Sequence, residues 1–412
     1  MKYLYAFLFA VILISTGCTE KNQKIAQWRG INRDGIYSEK GLLNEWPSGG
    51  PQLLWETDTV GNGYSSPVIY DDKLYINGEN DSVSYLFAFD LKGNLLWKAP
   101  NGPEFTGVEF SAGFPGARST PTIYKGLAYI SSGLGRIACI EIKTGKEVWS
   151  KHMVNDLKGE LNYFGYCESL LIDGNVLFCF PGGKESNVVC LDRLTGNAIW
   201  TSKALADNVA FTSPILIKLK ERNLFVTMSK NNLFALDATD GKLLWSFPED
   251  SVKFEGAYCN TPLYENGYLY NVSGVEKGSG TYKLKISPNG ESYSVEWKNQ
   301  RVRNEMGGFI KLGDSLYVAS DDKKIKLLDA NTGIVVDSLR NIRGNLIFAD
   351  GKFYCYSDNG NIDLIRLING KLSSVSKFKI DKGTKEHLAH IVIHKGVLYV
   401  RHGKSLQAFK IS

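Results

Sequence analysis

The chain has 412 residues, 43% apolar and 22% charged, with a formal charge of +5. Apolar content at that level supplies a sizeable core and excludes wholesale disorder. The charge is mild for the length and no dense Lys/Arg run occurs, which excludes a nucleic-acid footprint.

The first element is Met1-Lys2 followed by an apolar run from Tyr3 to Ile14 and then Ser15-Thr16-Gly17-Cys18. A short positive start, an apolar stretch and small residues before a cleavage point read as an export signal. The run is too short for a membrane-spanning helix. The cysteine directly after glycine resembles the acceptor of a bacterial lipoprotein signal. That resemblance implies removal of residues 1–17, a lipid on Cys18 and a membrane-anchored protein of a Gram-negative envelope. The expected site is the outer membrane, facing the periplasm or the surface. Residues 18–50 then form a tether and lead-in, and 51–412 a single domain.

From residue 51 onward the sequence repeats. SSPVIYDDKLYI and YLFAFDLKGNLLW end at Trp97; STPTIYKGLAYI and RIACIEIKTGKEVW end at Trp149. Similar units end at Trp200, Trp245 and Trp297, and decayed ones at Asp337 and Phe378. An eighth unit, HIVIHKGVLYV and SLQAFKI, lacks its last strand. PQLLWE, with Trp55, looks like a repeat ending without a beginning and is the expected donor. The anchors recur every 40–52 residues. Each unit carries four short apolar segments divided by Asp, Gly, Asn and Lys turns, which predicts four-stranded antiparallel sheets. Radial packing of such sheets gives an all-β, eight-bladed propeller. The N-terminal strand around Trp55 completes the last blade, because an open ring would leave bare edges.

The repeated Trp is expected to plug the gap between neighbouring blades while its N–H reaches a main-chain carbonyl. The repeated Asp (Asp90, Asp192, Asp237, Asp329) is expected to cap backbone N–H groups in a turn. Cys139 and Cys190 read as small buried hydrophobes within strands. There is no CxxC, and Cys167–Cys179 is the first pair to check for a disulfide.

These units, AFD…G…LW after SSP…LY, resemble the repeats of pyrroloquinoline quinone-type propellers across residues 50–412. The lead-in QWRGINRDGIYSEKGLLNEWP, residues 27–47, resembles that of bacterial propeller lipoproteins. The resemblance implies one of two functions. One is quinone-dependent oxidation of alcohols or sugars. The other is non-catalytic, as in the lipoprotein that assists β-barrel assembly in the outer membrane. A quinone enzyme needs calcium ligands and a carboxylate base. The adjacent cysteine pair of the alcohol dehydrogenases is absent here, and so is CxxCH. No cofactor, metal site or catalytic residue is therefore assigned. The favoured function is a binding or scaffold lipoprotein, expected as a monomer. Its partner is an envelope protein, peptide or glycan.

Propellers bind ligands where the outermost strand of one blade leads to the innermost strand of the next. Aligned by unit, these connections offer Tyr64, Arg118, Tyr166, Phe211, Tyr258, Arg303, Glu305, Arg343 and His387 as a ligand-binding rim. Aromatic residues with Arg suit recognition. One half is aromatic and the other basic, which suits an elongated or anionic ligand. The competing reading is that these residues close a narrow channel, with Arg paired to Glu305 or Glu255. Insertions near 77–85, 99–118, 151–165 and 271–281 are candidates to build the binding face.

Overall fold

The computed structural model describes residues 25–249, 258–274, 279–305 and 307–412. Eight antiparallel sheets follow one another in chain order, each with four consecutive strands, except that the last borrows its fourth. Strand Gln52–Thr57 pairs antiparallel with Ser405–Lys410, setting Gln52 opposite Lys410 and Thr57 opposite Leu406. The ring is closed by this strand, as the orphan PQLLWE segment predicts.

The strands form where short apolar runs meet turn chemistry. The innermost hairpin of the last blade turns at Lys395-Gly396, both at positive φ (49° and 72°). That is the geometry whose twist matches a tight hairpin. The second and third strands of each blade are buried on both faces, as in Arg136–Glu141, where Ile137 to Ile140 are fully covered. Each sheet is sandwiched by its neighbours, so its apolar residues come in runs rather than in alternation.

The indoles lie between blades. Trp149 Nε1 donates to Arg193 O at 2.9 Å, and Trp55 Nε1 donates to Leu91 O at 2.9 Å. Trp200, Trp245 and Trp297 repeat the contact with Ala238, Gly290 and Ala330. Asp337, where Trp is missing, reverses the polarity: its Oδ2 accepts from Leu372 N at 2.6 Å. The turn aspartates cap as expected. Asp192 Oδ1 accepts from the backbone N–H groups of Leu194 and Thr195, and Asp329 Oδ1 from Asn331 and Thr332.

The lead-in is stitched into the axis of the ring. Ile25–Ala26 pairs antiparallel with Thr122–Tyr124, the innermost strand of the second blade. Ile36–Tyr37 pairs in parallel with Gly344–Ala349, the innermost strand of the seventh. Between them Arg29 and Arg33 are buried. Arg33 donates to the carbonyls of Ser169, Leu170 and Pro214, at 3.0, 2.6 and 3.0 Å. Arg29 donates to Phe309 O and Leu346 O, at 2.8 and 3.1 Å. Burial pulls the Arg33 guanidinium down to about 9. These carbonyls satisfy a cation that burial would otherwise make costly. The chain leaving the axis buries Leu42 and Trp46, whose Nε1 donates to Ile362 O at 3.0 Å.

Cys18 lies outside the described residues. The other six cysteines are free thiols, so Cys167 and Cys179 form no disulfide.

Candidate functional site

A relay of hydroxyl groups fixes the register of the rim. Ser66 N donates to Thr120 Oγ1, Thr120 N to Ser169 Oγ, and Ser169 N to Ser213 Oγ, each at 3.0 Å. Thr261 Oγ1 then donates to Ser213 O at 2.9 Å. Blade is thereby tied to blade, and each residue two positions earlier in the chain faces the axis. Those residues are Tyr64, Arg118, Cys167, Phe211 and Cys259, and all five line one cavity of about 590 Å³.

The sequence alignment slips by one residue in two blades. Neighbouring side chains of an extended segment point to opposite sides. Tyr166 and Tyr258 therefore turn away from the cavity, 1% and 3% exposed, and Cys167 and Cys259 face it. Tyr166 Oη donates to Pro181 O at 2.9 Å, while Phe211 N and Thr212 Oγ1 donate to Tyr258 O. Arg303 is half-buried and does not line the cavity. Tyr64, Arg118, Phe211, Glu305, Arg343 and His387 do.

The cavity is an axial funnel lined in part by Trp28, carried in by the lead-in, with its indole edge-on to His390 at 5.0 Å. His390 Nδ1 lies 3.2 Å from Arg29 Nη1, and burial with that neighbouring charge pushes the imidazole well below its ordinary value. One wall is aromatic. Phe164 is its hub, with ring centroids 6.2 Å from Phe110, 6.2 Å from Phe114 and 5.8 Å from Phe211. Phe110 rides on the short 3₁₀ helix Glu109–Gly113, and Phe164 on the following blade's insertion. Two of the four expected insertions thus build the funnel.

The opposite wall is charged. Arg343 Nη2 donates to Glu305 Oε2 at 3.0 Å, with Asp321 Oδ1 and Asp358 Oδ2 each 3.7 Å from the same guanidinium. Burial, then Asp321, raises the Glu305 carboxyl. Tyr64 Oη donates to Glu386 Oε2 at 2.6 Å, joining first and last blades. His387 Nδ1 lies 2.6 Å from Tyr356 Oη, and its ring stacks on His402 at 3.7 Å. Burial and the His402 charge pull His387 down to about 4, so it is neutral at pH 7. The basic half expected from sequence is therefore outnumbered by acids. Arg118 packs over the Phe105 ring at 4.6 Å, donates to Phe114 O, and its charge faces the buried Glu104.

Among the described residues, no group of three or more His, Cys, Asp or Glu side chains could hold a metal ion. The quinone and calcium of the catalytic relatives do not fit this funnel. The guanidinium of Arg343 already sits among the acids that a metal would need. A quinone bearing carboxylates would face Glu305, Asp358 and Glu386, while Arg343 is already held by acids and Arg118 lies over the Phe105 ring.

The ring and its axial funnel define an eight-bladed propeller of the pyrroloquinoline quinone repeat type. A family model described as outer membrane protein assembly factor BamB matches residues 84–338. The chain belongs to that family. It is 22% identical over 294 residues to the outer membrane protein assembly factor BamB of Moranella endobia, covering 61% of this chain and 71% of that one. Its fold matches the crystal structure of BamB from Moraxella catarrhalis with a TM-score of 0.63 at 13% identity, covering 87% of this chain and 99% of that one. A europium-containing methanol dehydrogenase matches with the same TM-score at 11% identity, over 92% and 90% of the two chains, so fold likeness alone does not separate scaffold from enzyme. The chain spans about half the length of several of the first curated relatives it matches, 49% and 54% in two cases.

Proposed function

We propose that this chain is a non-catalytic binding scaffold of the cell envelope that serves the assembly of outer-membrane proteins. The observation that carries this reading is the family match over residues 84–338. The funnel supports it in two ways. It offers a concave surface with one aromatic wall and one charged wall, which suits binding. Its acids are already engaged by Arg343 and Tyr64 rather than held ready for proton transfer. The export signal and Cys18 support a lipid-anchored protein at the outer membrane, working as a monomer on an envelope protein, peptide or glycan.

The test is gentle cross-linking in cells, followed by isolation of the lipidated protein and identification of what accompanies it. Components of a β-barrel assembly machinery are the expected companions. Recovery of the protein alone, across several cross-linker lengths, would overturn the reading.

A further inference from the structure

We propose that the funnel takes a basic side chain of an extended polypeptide, seating its ammonium or guanidinium head beside Glu305 and Asp358 and its stem against Phe164 and Phe211. This deepens the scaffold reading and rests on it.

The charge balance at the Arg343 end is lopsided. Three carboxylates converge on one guanidinium, at 3.0, 3.7 and 3.7 Å. Asp321 Oδ2 and Arg343 Nε are both buried with no hydrogen-bond partner, so what the cluster carries in excess is negative charge. Glu386 adds a fourth carboxylate to the funnel region, and its partner, the Tyr64 hydroxyl, is uncharged. His387 supplies no compensating charge at neutral pH. Arg118, the other cation of the lining, packs over Phe105 with its charge facing the buried Glu104, so an incoming cation completes the set around Arg343 and an anion is repelled there.

The facing wall carries the matching chemistry. Phe110, Phe114, Phe164 and Phe211 pack edge to face. Such rings present electron-rich faces to a cation and apolar surface to its methylene stem. The source is a polypeptide rather than a free amine because the apolar surface continues past the mouth. Phe110 is 65% exposed and Val108 is 63% exposed on the same insertion, which leaves apolar contact for residues flanking the anchored one. A cavity of about 590 Å³ also accommodates more than one side chain.

The experiment is calorimetric titration of the full mature chain with N-acetyl-Phe-Arg-amide, N-acetyl-Phe-Glu-amide and butylguanidinium, at low ionic strength. The Arg peptide is expected to bind roughly tenfold more tightly than the Glu peptide. Glu305→Gln with Asp358→Asn is expected to bring the two within about threefold of each other. Phe164→Ala is expected to weaken both peptides. Each variant is compared with the parent by thermal midpoint, and Asp358→Asn alone serves if the double variant unfolds. Equal affinities in the parent, or tighter binding of the Glu peptide, would overturn the proposal. Butylguanidinium binding as tightly as the Arg peptide would overturn the polypeptide source. The scaffold reading fails separately: companions lost from the cross-linked parent sink it, whereas loss of the Arg preference with companions retained sinks only this site.

Discussion

Gly196 lies directly beneath the indole of Trp149. A β-carbon on Gly196 would sit 2.7 Å from Trp149 Cε3, and the glycine itself is at φ +71°. Gly145 meets Trp97 and Gly333 meets Trp297 in the same way. The recurring turn glycine and the recurring Trp are thus one contact, made across a blade boundary.

Gly196→Ala therefore forces both a left-handed backbone on alanine and a clash with a ring held on both sides. The expected loss is about 3 kcal/mol. Gly174 is the control: it is at φ +57° but has nothing within 4 Å of a β-carbon, so Gly174→Ala pays only the backbone term of about 1 kcal/mol. Urea unfolding midpoints of the two variants check the difference.

Arg33 holds three carbonyls, of which only Leu170 O has a second donor, the Thr122 hydroxyl at 2.7 Å. Arg33→Met leaves Ser169 O and Pro214 O to find new partners in a buried setting, and about 3 kcal/mol of stability is expected to go. Arg33→Lys should not restore it, since a compact ammonium cannot span the fork. Hydrogen exchange should also quicken at the amides joining Ile25–Ala26 to Thr122–Tyr124.

Glu168 sets a pH dependence. Burial raises its carboxyl to about 7 from 4.5, so the folded state holds this proton more tightly than the unfolded one. Its contribution to stability is full below about pH 4.5 and is lost as pH climbs through about 7. Glu168→Gln keeps the shape and removes the titration. At pH 8.5 the variant should exceed the parent by about 3 kcal/mol, and below about pH 4 the two should match. Thermal melts across that range decide it.

The six described cysteines are free, and alkylation in denaturant without reductant should modify all of them. In the native protein Cys167 and Cys259 line the funnel yet should react slowly near pH 8. Burial pushes the Cys167 thiol up to about 12 and raises Cys259 as well, leaving little thiolate. Mass spectrometry of timed labelling reads this directly.

The ring was legible in the sequence because each blade repeats the same solution to the same problem. Trp55, Trp97 and their successors mark the period, and the orphan strand at Trp55 marks the closure. The rim was only partly legible. Its residues sit in extended connections of unequal length, where an error of one position exchanges Tyr166 for Cys167 and Tyr258 for Cys259. Counting two back from Ser66, Thr120, Ser169, Ser213 and Thr261 would have fixed the register. Phe110 and Phe164 lie in segments already marked as insertions, but nothing local says that they meet. Trp28 gave no signal, because its position depends on a lead-in that follows no repeat.

That lead-in also sets an order of events in time. Ile36–Tyr37 waits for Gly344–Ala349, and Gln52–Thr57 waits for Ser405–Lys410 at the far end of the chain. Middle blades can form from neighbouring hairpins as they emerge, and Ile25–Ala26 finds Thr122–Tyr124 early, but Ile36–Tyr37 and Gln52–Thr57 are among the last segments to find partners. Through most of its synthesis the protein carries an unpaired strand, Gln52–Thr57, and an unsheltered Arg29, whose carbonyl partners are Phe309 and Leu346. Its maturation is a single late step, and a truncation of only the final strand would undo both ends of the molecule at once.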